Sequence, residues 1–311
     1  MRRAVTKVMI AMTLVAAACG AGDTEAGDTD DRVRPSAIDR TTTTSPPPLD
    51  GMVLPLADEF WHSGFHVELT KAEIFESRSI YASRISYWLR VWGNFENQGG
   101  DVAYFEPEMA IVASGGSFAY RRGGPPQVLP ASSSLGYLTF LVPEDLDVES
   151  AELVIGAVAE SQVRIPLGSP GTAVRLEPTD VAVGGQLATE LIDLDFTGAS
   201  LRHDLPSLHT QLESGKRALT LHFDVTSRIR GEVRMSPGDI ALILPDGSVI
   251  EPVASELGSL PGDDDGITTV DRFVSFVVDE TPTGDFTLRL TLDALVDAED
   301  GITEATFDFS L

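Results

Sequence analysis

From Met52 onward the chain alternates apolar and polar residues with a period of two. Phe65-His66-Val67-Glu68-Leu69, Ala218-Leu219-Thr220-Leu221-His222-Phe223-Asp224-Val225 and Phe286-Thr287-Leu288-Arg289-Leu290-Thr291-Leu292 all read this way. So does the last run, Ala305 to Leu311. Each run is bounded by Gly, Pro, Asp or Ser, which predicts half-buried strands with one face on a core. No long stretch has helical spacing; Leu205 to Leu212 predicts one or two helical turns inside a loop.

The pattern restarts midway. A first copy runs from Val53 to Leu167 and a second from Val174 to Leu311. Gly64 corresponds to Gly185, Phe75 to Phe196, and Tyr87–Val91 to Ala218–His222. Ala110–Gly115 corresponds to Ala241–Asp246, and Leu138–Glu144 to Val274–Glu280. The expected fold class is all-β, two tandem antiparallel β-sandwiches over 51–168 and 172–311, joined at Gly168-Ser169-Pro170-Gly171. The layout resembles immunoglobulin-like sandwich domains of secreted and lipid-anchored actinobacterial proteins, the telokin-like group. Phe95-Glu96-Asn97-Gln98-Gly99, Pro130-Ala131-Ser132-Ser133 and Ile165-Pro166-Leu167 carry that resemblance. It implies an extracellular binding or spacer module.

The first 50 residues follow a different logic. Arg2, Arg3 and Lys7 precede an apolar run from Val8 to Ala18, then Ala16-Ala17-Ala18 meets Cys19 and Gly20. That is the order of a secretion signal, and the run is shorter than the roughly 20 residues a membrane-spanning helix needs. Residues 1–18 with Cys19 resemble the signal and lipobox of bacterial lipoproteins, which implies lipidation of Cys19. Residues 19–50 form a Gly-, Asp-, Thr- and Pro-rich linker with little to bury. Fully extended, that linker reaches about 100 Å.

Composition adds bounds. Cys19 is the only cysteine, so no internal disulfide is expected and packing must hold the fold. At 42% apolar and 23% charged the chain is globular in class. Its net charge of −26 argues against nucleic-acid partners and for a solvated surface. Removal of Arg2, Arg3 and Lys7 with the signal makes the remainder more negative.

Three constellations are candidates for chemistry. Gly262-Asp263-Asp264-Asp265-Gly266 and Asp297-Ala298-Glu299-Asp300-Gly301 are acidic loops expected at one end of the second sandwich. Asp263, Asp265, Asp297 and Asp300 are the residues to test there for Ca²⁺, which takes six to eight oxygens. The EF-hand spacing fails, because Pro261 and Arg272 fall on its first and last ligand positions. Arg228, Arg230 and Arg234 are expected nearby and offer neutralisation without metal. His203, Asp204, Ser207 and His209 share one long loop, formally a hydrolase set but without a Gly-x-Ser-x-Gly elbow. Trp88 and Trp92 lie on one face of one strand, with Leu89 and Val91 on the other. The expectation is that the tryptophans are core; the alternative is an outward aromatic stripe for a glycan or partner.

The functional expectation is a lipid-anchored, extracytoplasmic, non-catalytic binding or spacer module with no cofactor. Its expected partners are the membrane, through the lipid, and an envelope protein or glycan. A Ca²⁺-binding protein and an envelope hydrolase are the alternatives.

Overall fold

A computed structural model describes residues 51–78, 85–123, 127–168, 171–292 and 303–311, and these are all-β with antiparallel sheets. The N-terminal half contains β1 (Met52–His62), β2 (Phe65–Arg78), β3 (Ile85–Asn97), β4 (Met109–Ala113), β5 (Gly116–Gly123), β6 (Ser132–Val142), β7 (Glu152–Ile155) and β8 (Val163–Pro166). Their order in the sheet is β1-β2-β3-β6-β5-β4-β7-β8. Alternation decides which side each strand buries. On β3, Leu89, Val91 and Phe95 are fully buried, while Trp88, Arg90, Trp92 and Asn94 between them remain partly accessible on the opposite face.

The C-terminal half opens with β9 (Thr179–Val181), β10 (Gly185–Ala188), β11 (Ile192–Arg202), β12 (Asp204–Leu205), β13 (Thr210–Gln211), β14 (Lys216–Ser227) and β15 (Gly231–Arg234). It continues with β16 (Ile240–Ile243), β17 (Val249–Ile250), β18 (Ala254–Ser255), β19 (Ser259–Gly262), β20 (Ile267–Asp279), β21 (Asp285–Leu292) and β22 (Thr303–Ser310). One sheet runs β10-β11-β14-β20-β18 and another β17-β16-β21-β22. Their inward faces share one apolar cluster built around Leu221, Phe223, Phe276 and Leu288.

The repeat seen in sequence reappears as topology. β2-β3-β6-β5 with β4-β7-β8 corresponds to β11-β14-β20-β18 with β16-β21-β22. Each half thus divides into a four-strand set and a three-strand set in the same order. The halves differ at one strand. β5 pairs with both β4 and β6 and joins the two sheets, whereas β17 and β18 divide that role in the C-terminal half.

There are two large apolar clusters, one for each half, within a compact unit spanning Pro47–Leu311. The connection is not a bare hinge. Val174 exchanges both backbone hydrogen bonds with Arg164 at 2.8 and 3.0 Å, and the Trp61 N–H donates to the Arg175 carbonyl at 3.0 Å. Residues just past the expected boundary at 172 therefore bond to β8 and β1, and Ala173 and Leu176 pack on the first cluster.

Candidate functional site

The outward face of β2-β3-β6 carries the cation–π contacts found among the described residues. Register sets its rows. Lys71, Trp92 and Tyr137 lie side by side, as do Glu73, Arg90 and Thr139, and Phe75, Trp88 and Leu141. The expectation that the tryptophans form core is corrected here. Leu89 and Val91, fully apolar and compact, are buried on the core side, so Trp88 and Trp92 take the opposite phase.

Arg90 is the centre of this face. Its guanidinium carbon lies 4.6 Å from the Phe75 ring centroid, 4.5 Å from Tyr137 and 5.5 Å from Trp92. Lys71 Nζ lies 5.3 Å from the Trp92 centroid. Trp92 and Tyr137 contact at 5.0 Å with rings inclined by 55°. Glu73 binds both cations, accepting from Arg90 at 3.3 Å and from Lys71 at 3.2 Å. Partial burial opposes the Glu73 charge, but the Trp92 indole and the two cations outweigh it and hold the carboxyl below its ordinary range. The Trp92 indole nitrogen itself is buried without a well-formed hydrogen bond, so its approach to Glu73 is the weaker contact. Cation–π contacts of this kind are worth about 0.5–2 kcal/mol each, which fixes Arg90 among the three rings.

Beyond Asn94 the face becomes polar. The turn residues Ser63 and Gly64, both with positive φ, make a two-residue hairpin. That turn places Trp61 opposite His66 and Glu59 opposite Glu68. On the other side His66 is opposite Glu96, and Glu68 opposite Asn94. His66 Nε2 is 2.9 Å from Glu59 Oε2, and Nδ1 is 3.1 Å from Glu96 Oε2. Trp61 stacks on the imidazole at 4.5 Å and 10°. Ligand atoms of Glu59, His66 and Glu68 all lie within 4.8 Å of one another, the group of metal-binding size among the described residues. His66, Glu68, Asn94, Glu96, Ser132 and Ser133 line a depression of about 360 Å³.

The residues singled out from sequence behave differently. Asp204 is buried. It accepts from the Gly64 N–H at 2.7 Å and from Arg202 Nε at 2.8 Å. Ser207 sits in the middle of a single turn, Pro206–Leu208, the helical turn expected inside this loop, and bonds to neither His203 nor His209. His209 packs against Phe65 at 5.8 Å, with both ring nitrogens buried and unpartnered. The loop is thus spent on joining the halves. Gln211 receives the Ser63 N–H at 3.1 Å and donates to the Ser161 carbonyl at 3.1 Å. Next to it, His62 is nearly inaccessible, and burial lowers its pKa to about 4, with Asp204 opposing the shift.

In the acidic loop, Arg230 pairs with Asp264, and the Asp265 N–H donates to Asp263 Oδ1 at 3.1 Å. Among the described residues no group of metal-binding size forms around Asp263 and Asp265. Arg228 pairs instead with Asp193. Asp297 and Asp300 lie outside the described residues, as do Cys19 and the linker. The Glu59–His66–Glu68–Glu96 group was not singled out from sequence. Its signal was there: a Ser-Gly turn fixes the register of the first hairpin and sets two glutamates opposite each other.

No family model matches the chain, and no curated protein matches it.

Proposed function

We propose that this protein is a lipid-anchored, non-catalytic binding module of the cell envelope, and that its ligand is an envelope glycan. The observation that carries the reading is Arg90 held among Phe75, Trp92 and Tyr137 on an outward sheet face. Flat aromatic surfaces stack on sugar rings, and a fixed guanidinium binds hydroxyl or carboxylate oxygens bidentately. The adjoining polar depression, with Asn94, Ser132 and Ser133 on its wall, supplies directed hydrogen bonds of the kind sugar hydroxyls need. Anchoring rests on the resemblance of residues 1–19 to a lipoprotein signal. The linker gives the module reach from the membrane into the wall. The non-catalytic part of the reading is supported by the use of His203, Asp204 and His209 in packing and internal bonding.

The test is sedimentation of the purified full chain, kept in detergent, with insoluble cell-wall glycan. Co-sedimentation that soluble glycan fragments reverse is expected. A chain that stays in the supernatant at all glycan concentrations contradicts the reading.

A further inference from the structure

We propose that Glu59, His66 and Glu68 form a divalent-cation site of the zinc class, with Glu96 as the outer partner that orients the histidine. The site does not depend on the glycan reading.

Three features of the hairpin converge on it. First, alternation puts the ligands on one face. Phe60 and His62 on β1 and Phe65, Val67 and Leu69 on β2 are buried, so Glu59, His66 and Glu68 project outward together. Second, Glu59 and Glu68 are direct cross-strand partners. Like charges directly opposite one another destabilise a strand pair. Arg175, which lines a second depression with Glu59 and Glu68, is committed to Asp58 at 2.5 Å, and Lys71 to Glu73 at 3.2 Å. A cation between the two glutamates removes the repulsion. Third, the imidazole is held in the orientation a ligand needs. Glu96 lies 3.1 Å from Nδ1, and Trp61 stacks on the ring at 4.5 Å. When Glu96 accepts from Nδ1–H, the Nε2 lone pair is left to face Glu59 and Glu68. This carboxylate–histidine–metal relay is the usual support of a zinc-bound imidazole.

The donor set chooses the class of ion. One imidazole nitrogen and two carboxylates suit Zn²⁺, which in its open sites takes three protein ligands and leaves a fourth position to solvent. Ca²⁺ prefers six to eight oxygens and gains little from a nitrogen. The open position faces the two depressions that meet at Glu68, one lined by Asn94 and Ser133 and the other by Asp58 and Glu177.

The experiment is calorimetric titration of Zn²⁺ and Ca²⁺ into the full chain in detergent after stripping with a chelator. One Zn²⁺ per chain is expected, with a rise in melting temperature, and no comparable Ca²⁺ binding. His66→Ala and, separately, Glu68→Gln should each weaken Zn²⁺ at least tenfold. Glu96→Gln should weaken it about 10- to 100-fold without removing a ligand. Asp263→Asn, in the acidic loop, should leave it unchanged. All four positions are outward, and circular dichroism confirms that each variant is folded before titration. The proposal is overturned by no saturable Zn²⁺ binding, by binding that survives both His66→Ala and Glu68→Gln, or by equal loss in Asp263→Asn, which would mark diffuse attraction to an acidic surface.

Discussion

The Asp204 carboxylate, in the C-terminal half, accepts the backbone N–H of Gly64 at the tip of the first hairpin at 2.7 Å. Arg202 Nε binds the other oxygen at 2.8 Å and also reaches Gln98 through its terminal nitrogen at 2.9 Å. One buried acid thus couples the first hairpin, the end of β3 and the loop after β11. Its neighbours bring the halves together further, through the Ser161 N–H to Leu212 carbonyl bond at 3.0 Å and the Ser214 N–H to Ala159 carbonyl bond at 3.0 Å.

Removing Asp204 should therefore cost more than a surface ion pair. Asp204→Ala leaves a buried N–H and a guanidinium without their acceptor, and a loss of about 3–5 kcal/mol is expected. Denaturant unfolding of the full chain measures it. Loss of cooperativity, with the halves melting separately, is the expected form of the transition.

Gly99 makes a sharper steric test of the same junction. A Cβ there would lie 2.4 Å from His209 Cε1 and 2.6 Å from the Pro206 carbonyl oxygen, the latter being backbone that cannot turn aside. Gly100 has open space at its Cβ position. Gly99→Ala should destabilise by roughly 1–3 kcal/mol, and Gly100→Ala by no more than about 0.5 kcal/mol. Thermal melts of the two variants side by side give the comparison.

His62 predicts a pH dependence with a definite sign. The unfolded chain binds a proton near 6.5, whereas burial holds the native imidazole neutral down to about 4. Between those values the unfolded state carries more protons, so stability falls as pH falls through that window and is flat above it. The full effect is about 3 kcal/mol. His203 and His222, lowered chiefly by burial, shift stability in the same direction. His62→Gln should flatten the dependence between pH 7 and pH 4 by most of that amount, measured by urea unfolding at several pH values.

The strand pattern and the repeat were legible because they rest on local alternation, which one buried face enforces. Val67, Leu89 and Leu221 are buried where the pattern requires it. The loop after β11 was not legible in the same way. His203, Asp204 and His209 look like chemistry in sequence, and only their long-range partners, Gly64 and Phe65, show what they do. The tryptophans were misjudged for a related reason. Periodicity tells which residues share a face but not which face is inside, and ring size favoured the wrong one. The Glu59–His66–Glu68 group was readable in principle from the Ser63-Gly64 turn, since a two-residue hairpin fixes every pair along it.

Anchoring is tested at the first expected mature residue. Cys19→Ala should abolish lipid attachment and release the protein from membranes or leave the signal uncleaved. Fractionation and mass determination of the N-terminal peptide read both outcomes, and undiminished membrane retention with unchanged mass would count against lipidation.

In the proposed function the outward face of β2-β3-β6 is the binding surface. The most direct measurement is the affinity of the full chain for cell-wall glycan in Trp92→Ala, compared with Thr287→Ala on the outward, partly exposed face of β21. A loss of about tenfold in Trp92→Ala, equivalent to about 1.4 kcal/mol, with Thr287→Ala unchanged, is the expected result. Equal affinity in the wild type and Trp92→Ala, with both chains folded, would contradict it.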